Sequence, residues 1–292
     1  MRRFLSFVFP LFLAFFLVSC ATQADPTDIR GIWKSEGEEV SYAFYFTPDG
    51  YYVRESRRED METYYEIGTY RLEMDETGEG VIVTDFYDYD FVREGTRLFF
   101  DFYGEERVFT RTSRSAKNNT SASALRGVWS DGINVTGFSS KGIVITMGMS
   151  LGLDDYYTED GDTSVIVIGG YEYPYLIINN RLFIEDDNGF LGMYTCTAMD
   201  RLKSGGNEQT SRDILVNNNP WQLIDFGGGA SHYDYTFRSD SHYSMKYYSD
   251  YDPVGYSSSG TFKFHSGNII ELSDDGDLAY AIIDGIPFMF SI

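Results

Sequence analysis

The side chains able to do chemistry are few, and their spacing decides what each could do. The three histidines, His232, His242 and His265, all fall in the last third of the chain. Imidazoles that converge make sites for transition metals. Separations of ten and 23 residues form no compact ligand motif, and no cysteine lies among them. Asp234 and Asp240 would add oxygen ligands only if strands carried them together, so all three are read as solvated strand histidines and no metal is expected. Gly148-Met149-Ser150-Leu151-Gly152 has the spacing of a nucleophile elbow. That chemistry needs its serine on a strained strand-to-helix turn, and the residues that follow, Leu153 to Tyr157, have no helical period. Three acidic turns, at Gly161, Gly189 and Gly276, invite a calcium reading. Counting from each glycine, the first ligand position falls on Tyr156, Ile184 and Glu271, and in the last case Ile282 stands where the closing glutamate belongs. They are read as hairpin turns. No nucleophile, base and orienting group fall together, so neither an enzyme nor a cofactor is expected.

Composition narrows the partners. The 292 residues carry 45 Asp plus Glu against 23 Lys plus Arg, a net charge of −22. Phosphate backbones are bound by clustered cations, so a nucleic-acid partner is not expected. Two cysteines, Cys20 and Cys196, cannot build a disulfide framework. An aromatic content of 17% with seven prolines is that of a packed chain rather than a disordered one.

The first twenty residues read as an address. Arg2 and Arg3 precede an apolar run from Phe4 to Val18, interrupted at Ser6 and Pro10. The run is too short for a spanning helix, which needs roughly 20 apolar residues, and has the anatomy of a secretory signal. It ends in Leu17-Val18-Ser19-Cys20, which resembles the lipobox of bacterial lipoproteins. The resemblance implies a signal over residues 1–19, acylation of Cys20 and a lipidated tether over 20–27. It implies an exported protein held to a bacterial membrane by its lipid, at the outer membrane or cell surface rather than the inner membrane. Processing would remove two arginines and no acid, leaving 45 acids against 21 bases. Cys196 then has no partner, and its strand-like surroundings mark it as a buried, unreactive thiol.

The remaining chain repeats. Its tryptophans are Trp33, Trp129 and Trp221, each preceded by an aliphatic residue: Ile29, Leu125, and Ile214-Leu215 at a longer lead. Phe46 to Gly50 falls in register with Phe138 to Gly142 and, more loosely, with Phe237 to Ser241. Gly68-Thr69-Tyr70 matches Gly260-Thr261-Phe262, and Tyr87 to Phe91 with Arg97-Leu98-Phe99 matches Tyr171 to Tyr175 with Arg181-Leu182-Phe183. The units are placed at 28–112, 125–202 and 213–292, joined by polar linkers at 113–124 and 203–212.

Each unit is expected to be β. Tyr42, Phe44 and Phe46 share one face by alternation, as do Tyr87, Tyr89 and Phe91, while Tyr233 and Tyr235 oppose His232 and Asp234. Asp49-Gly50, Asn188-Gly189, Asp275-Gly276 and Asp284-Gly285 supply the positive φ of tight hairpins. The sum is an all-β chain of three tandem antiparallel up-and-down barrels, about seven to eight strands each at ordinary strand length. Gly-x-Trp, Phe-x-x-Asp-Gly, Gly-Thr-Tyr and a closing aromatic hairpin resemble the lipocalin-like repeat of small bacterial lipoproteins. The resemblance implies that Trp33, Trp129 and Trp221 pack structurally under the barrel cores. The third unit lacks a final strand matching Val108 to Thr112. It is expected either to be one strand short or to be closed from elsewhere, for example by Asp213 to Asn217. The function expected is a monomeric, non-catalytic binding module for an apolar or aromatic ligand or a partner protein. The alternative is a structural spacer without a small-molecule ligand.

Overall fold

Tight turns decide where this chain reverses, and one turn recurs in all three units. Gly50, Gly142 and Ser241 hold φ of +88°, +84° and +69°. The carbonyl of each accepts a backbone N–H from the strand beyond: Tyr70 at 2.7 Å, Tyr156 at 2.7 Å and Phe262 at 3.0 Å. Two residues with positive φ also make the Asp284-Gly285 hairpin, as a twist-matched two-residue loop requires. The computed structural model describes residues 28–292 except 36, 38–39, 60, 62, 75–78, 103, 120, 149–151, 160–163, 187–194, 226–230, 250–251 and 266–267. Cys20, Ser150 and the turns at Gly161 and Gly189 lie outside the described residues.

The first unit is a closed antiparallel barrel: β1 (Gly31–Ser35), β2 (Val40–Phe46), β3 (Tyr51–Arg58), β4 (Tyr64–Met74), β5 (Gly80–Thr84), β6 (Asp88–Glu94), β7 (Arg97–Phe102) and β8 (Glu105–Ser113). β8 returns to β1, with Arg111 beside Trp33. The second closes in the same order: β9 (Gly127–Ser130), β10 (Val135–Phe138), β11 (Ile143–Met147), β12 (Gly152–Glu159), β13 (Val165–Ile168), β14 (Tyr171–Ile178), β15 (Arg181–Asp186) and β16 (Thr195–Ser204). Here Arg201 stands beside Trp129. Apolar inward residues fill most of both interiors, as Phe44, Phe100 and Phe109 do in the first.

The third unit is an open half-barrel. Its sheet runs from β18 (Trp221–Asp225) through β19 (Ser231–Phe237), β20 (His242–Ser249), β21 (Asp252–Phe264), β22 (Ile269–Leu272) and β23 (Gly276–Ile283) to β24 (Ile286–Ser291). A two-residue strand, β17 (Glu208–Gln209), pairs with the far end of β23. Asp213 to Asn217, read from the sequence as a possible closing strand, is instead part of a short helix, α2 (Arg212–Asn217). The Ser211 hydroxyl caps it by accepting the Ile214 N–H, Asp213 sits in its first turn, and Leu215 is fully buried. That burial beneath Trp221 outweighs the strand-like look of Ile214-Leu215-Val216. A four-residue helix, α1 (Ala122–Leu125), leads into β9 in the same way.

The units are docked on each other. The outer face of β2–β4 (Ala43, Tyr45, Val53, Tyr65, Ile67) buries against Leu176, Ile178 and Phe183 of the second barrel. Arg181 pins that contact: its guanidinium pairs with Glu55 at 3.1 Å, donates to the Tyr65 hydroxyl at 2.8 Å and lies over the Tyr65 ring. The polar stretch after β8 is bound rather than free: Ala116 is buried in the interface and Asn118 bridges to Ile178. Between the second and third units, Val128 and Ile145 meet Ala279, Ala281, Ile283, Phe288 and Phe290. The Asp284 carboxylate accepts the N–H groups of Gly206 and Asn207 at 2.8 and 2.9 Å. The Met289 N–H, at the free edge of β24, points to the Met147 sulfur at 3.0 Å.

Gly137 lies where this second interface is tightest. A Cβ there would stand 2.6 Å from Ile283 Cδ1 and 3.0 Å from Phe288 Cζ. Gly137→Val is expected to cost about 1–3 kcal/mol by overpacking, felt at the interface. Trypsin should then cut at Lys203 or Arg212 roughly tenfold faster, with the far-ultraviolet spectrum unchanged. An unchanged cleavage rate would show that this contact does not hold the two units together.

Candidate functional site

The mouth of the first barrel gathers side chains that a core does not need. Inward positions of β2, β3 and β4 alternate with the outer residues of the docking face, so Tyr42, Arg54, Ser56, Arg58 and Tyr64 point into the opening. With Val40 and Met61 they line a cavity of about 330 Å³. Arg54 is 6% exposed and Glu66, its direct cross-strand partner, 7%. Their ion pair is 2.7 Å long. The Tyr52 hydroxyl donates to the other Glu66 oxygen at 2.6 Å, and Arg54 donates to the Tyr89 hydroxyl at 3.2 Å. Tyr64 and Tyr87 face the guanidinium at 5.9 and 5.5 Å. Burial, reinforced by the Glu66 charge, drives the Tyr52 phenol far above its ordinary range, so it stays a donor.

The sister units hold other residues at this register position. The cross-strand pair equivalent to Arg54 and Glu66 is Thr146 with Gly152 in the second barrel and Met245 with Ser258 in the third unit. Each residue pair lies four positions from the shared turn contact described above. The second barrel therefore forms without a charge at this place, whereas the third unit holds the Asp275 carboxylate beside it through Tyr243 and Ser258.

The barrel bases share one arrangement. The Trp33, Trp129 and Trp221 indoles donate to the carbonyls of Ile29, Leu125 and Leu215 at 2.5, 2.8 and 2.8 Å. Arg111 lies 4.5 Å over the Trp33 ring and Arg201 3.9 Å over Trp129. Arg111 also donates to the Asp28 carbonyl, and Arg201 to those of Ala124 and Arg126. In the third unit, whose sheet does not close, Tyr280 meets Trp221 edge-on at 6.0 Å. The sequence reading missed both arginines. The signal was there: each stands two residues after an inward apolar residue, Phe109 or Met199, on the last strand of its barrel.

The other sequence-marked groups do not converge. His232 stacks on Tyr248 at 4.8 Å, His242 neighbours Asp240, and His265 meets Glu271 at 2.8 Å. Among the described residues no three His, Cys, Asp or Glu side chains come together as a metal site. Asp275, in the last acidic turn, accepts from Tyr243 at 2.5 Å and Ser258 at 2.7 Å. Burial pushes the Cys196 thiol upward, away from the reactive thiolate. A larger cavity of about 680 Å³ along β4–β8 is lined by five carboxylates, Glu73, Glu79, Asp90, Asp101 and Glu106, with Met74 and Phe91.

No family model matches the chain, and no curated protein matches it. Among solved structures, the DNA polymerase III subunit beta from Pseudomonas aeruginosa aligns over 91% of this chain and 90% of its own at 7% identity, with a TM-score of 0.20. The Helicobacter pylori beta clamp bound to a DNA ligase peptide aligns over 86% and 79% at 8% identity, with a TM-score of 0.18. Likeness at these scores establishes neither a shared fold nor a shared function.

Proposed function

We propose that this chain is an exported lipoprotein with lipocalin-like units, anchored through Cys20, that binds a small molecule at the mouth of its first barrel without catalysing a reaction. One observation carries the binding reading. The mouth keeps a buried ion pair, Arg54 with Glu66, beside an open cavity of about 330 Å³, and the second barrel builds the same position without charge. Breaking even on stability is the most a buried pair ordinarily achieves, so its retention favours recognition. The volume is at the small end for ligand pockets. Native mass spectrometry of the full chain purified from its own host is expected to show an adduct, and Ser56→Trp, which fills the opening, should remove it. A bare mass in every preparation would end the binding reading.

The spacer reading has its own support in the docked interfaces, which make three units into one relay of contacts. It predicts the bare mass. Anchoring is tested separately: Cys20→Ser should move the protein from the membrane pellet to the soluble fraction, since stable attachment by acyl chains supplies about 0.8 kcal/mol per buried CH₂. Retention of the serine variant in the pellet would refute the anchor.

A further inference from the structure

We infer that two copies of this chain pair through the outer face of the first barrel's β6–β7 hairpin, about a two-fold axis that sets Phe99 on Phe99 and Arg97 on Asp101. A pair departs from the monomer expected on sequence, and it does not depend on what the barrel mouth binds.

The units dock by a repeated rule. In both interfaces one hairpin of a unit, β14–β15 or β23–β24, turns its outer face to the unit before it. These hairpins and β6–β7 align residue for residue. Val92 stands opposite Phe99, Leu176 opposite Phe183 and Ala281 opposite Phe288, each two residues in from the pair that closes the turn. Leu176, Phe183, Ala281 and Phe288 are at most 3% exposed. No described unit precedes the first. Phe99 lies outward, between the core residues Leu98 and Phe100, and its neighbours across the strands, Val92 and Val108, are each 42% exposed. An apolar row across β6, β7 and β8 thus meets water at the position where the other two units are joined.

The far end of the chain decides what can cover it. Units that dock head to tail run on as filaments unless an end is capped. The third unit is the cap. Where the outer face of the first barrel has Ala43, Tyr45, Val53 and Ile67, the same register holds Asp234, Thr236, Ser244 and Ser259. A second copy therefore offers no matching head, and the corresponding faces of its first two units are already covered. The surface it does offer is the same row.

That row is self-complementary in charge. Asp101 and its cross-strand partner Glu106 flank it on one side. Arg97 flanks it on the other, followed through Thr110 by Lys34. An axis along the row turns each side onto the opposite one, so Arg97 of each copy meets Asp101 of the other; an axis along the strands would set acid on acid. Arg97 holds the position of Arg181, the guanidinium that pairs with Glu55 across the first interface. Unlike Arg181 it is exposed and has no ion pair among the described residues. Asp90 and Glu94 oppose each other in this arrangement, a strand away from Phe99, where two closed barrels curve apart. The contact is at the small end of the interface scale, so the pair is reversible.

Sedimentation equilibrium tests the pairing on the full chain carrying Cys20→Ser, so that no acyl chain drives association. A monomer–dimer equilibrium with Kd on the order of 10 µM is expected. Phe99→Ser should weaken it about tenfold or more. Arg97→Asp and Asp101→Arg each bring like charges together and should each weaken it about tenfold. Combined, they exchange the charges and should restore it to within about threefold of wild type. The rescue guards against misfolding, since a second surface charge does not refold a collapsed variant. A chain that stays monomeric at about 200 µM, far above the expected Kd, would overturn the pairing. So would a dimer indifferent to Phe99→Ser, which would lie on another face, and so would a charge-exchanged variant no tighter than either single one.

Discussion

Arg54→Met made alone should destabilise the first unit by about 3–5 kcal/mol, whereas Arg54→Met combined with Glu66→Ser should cost much less. The difference follows from what each change leaves behind. Methionine removes the cation and strands the Glu66 carboxylate, 7% exposed, with only the Tyr52 hydroxyl for compensation. A buried charge without its counter-charge is among the most costly states a core can hold. Removing both partners instead reproduces Met245 with Ser258, a pair that already occupies this register in the third unit. Some loss persists in the double variant, because Tyr89 and Tyr52 each lose a partner. The measurement is chemical denaturation of the wild type, both single variants and the double variant, followed by circular dichroism. A double variant as unstable as the single one would show that the pair holds the barrel together, and the case for recognition would lose its footing.

Trp129→Ala is expected to cost about 3–5 kcal/mol, the range for truncating a fully buried aromatic side chain. Trp129 has no exposed surface, donates to the Leu125 carbonyl and carries the Arg201 guanidinium 3.9 Å above its ring. Truncation leaves a cavity at the base and removes the platform that orders Arg201, whose bonds tie α1 to β16. The second barrel also bears both docking faces, so its loosening should reach its neighbours. Trypsin sensitivity should rise along residues 113–124 and 203–212 together with the fall in midpoint. A loss below about 1 kcal/mol, the size of an ordinary surface substitution effect, would contradict a keystone role for this tryptophan.

Much of this architecture is legible in the residues, for physical reasons. A barrel strand exposes its pattern locally: Tyr233 and Tyr235 turn inward and stack at 6.5 Å, while His232 turns out and stacks on Tyr248. The recurring turn is equally local, because positive φ at Gly50 and Gly142 restricts the residue that can stand there. The candidate site is not local. Arg54 and Glu66 are twelve residues apart, and only the register of β3 on β4 makes them a pair. The same holds for Trp33 with Arg111 and Trp129 with Arg201, joined by barrel closure across a whole unit. Helix α2 was misread because Ile214-Leu215-Val216 has the composition of a strand. Its cap, Ser211, is a common polar residue whose role appears only once Leu215 must reach the underside of Trp221.

The Met147 contact has a consequence for how the chain avoids sticking to itself. An open sheet edge is a template for a stray strand, and the third unit, unlike the other two, ends on one. Along β24 the outward backbone positions are Pro287, which has no N–H, Met289, whose N–H is directed at the Met147 sulfur of the barrel before it, and Ser291 at its end. The last strand is thus guarded partly by its own proline and partly by a neighbour made earlier. Domains of a nascent chain tend to fold in order from the N-terminus. The second barrel can therefore be in place before β24 emerges, so that the vulnerable edge meets its cover before it meets another copy.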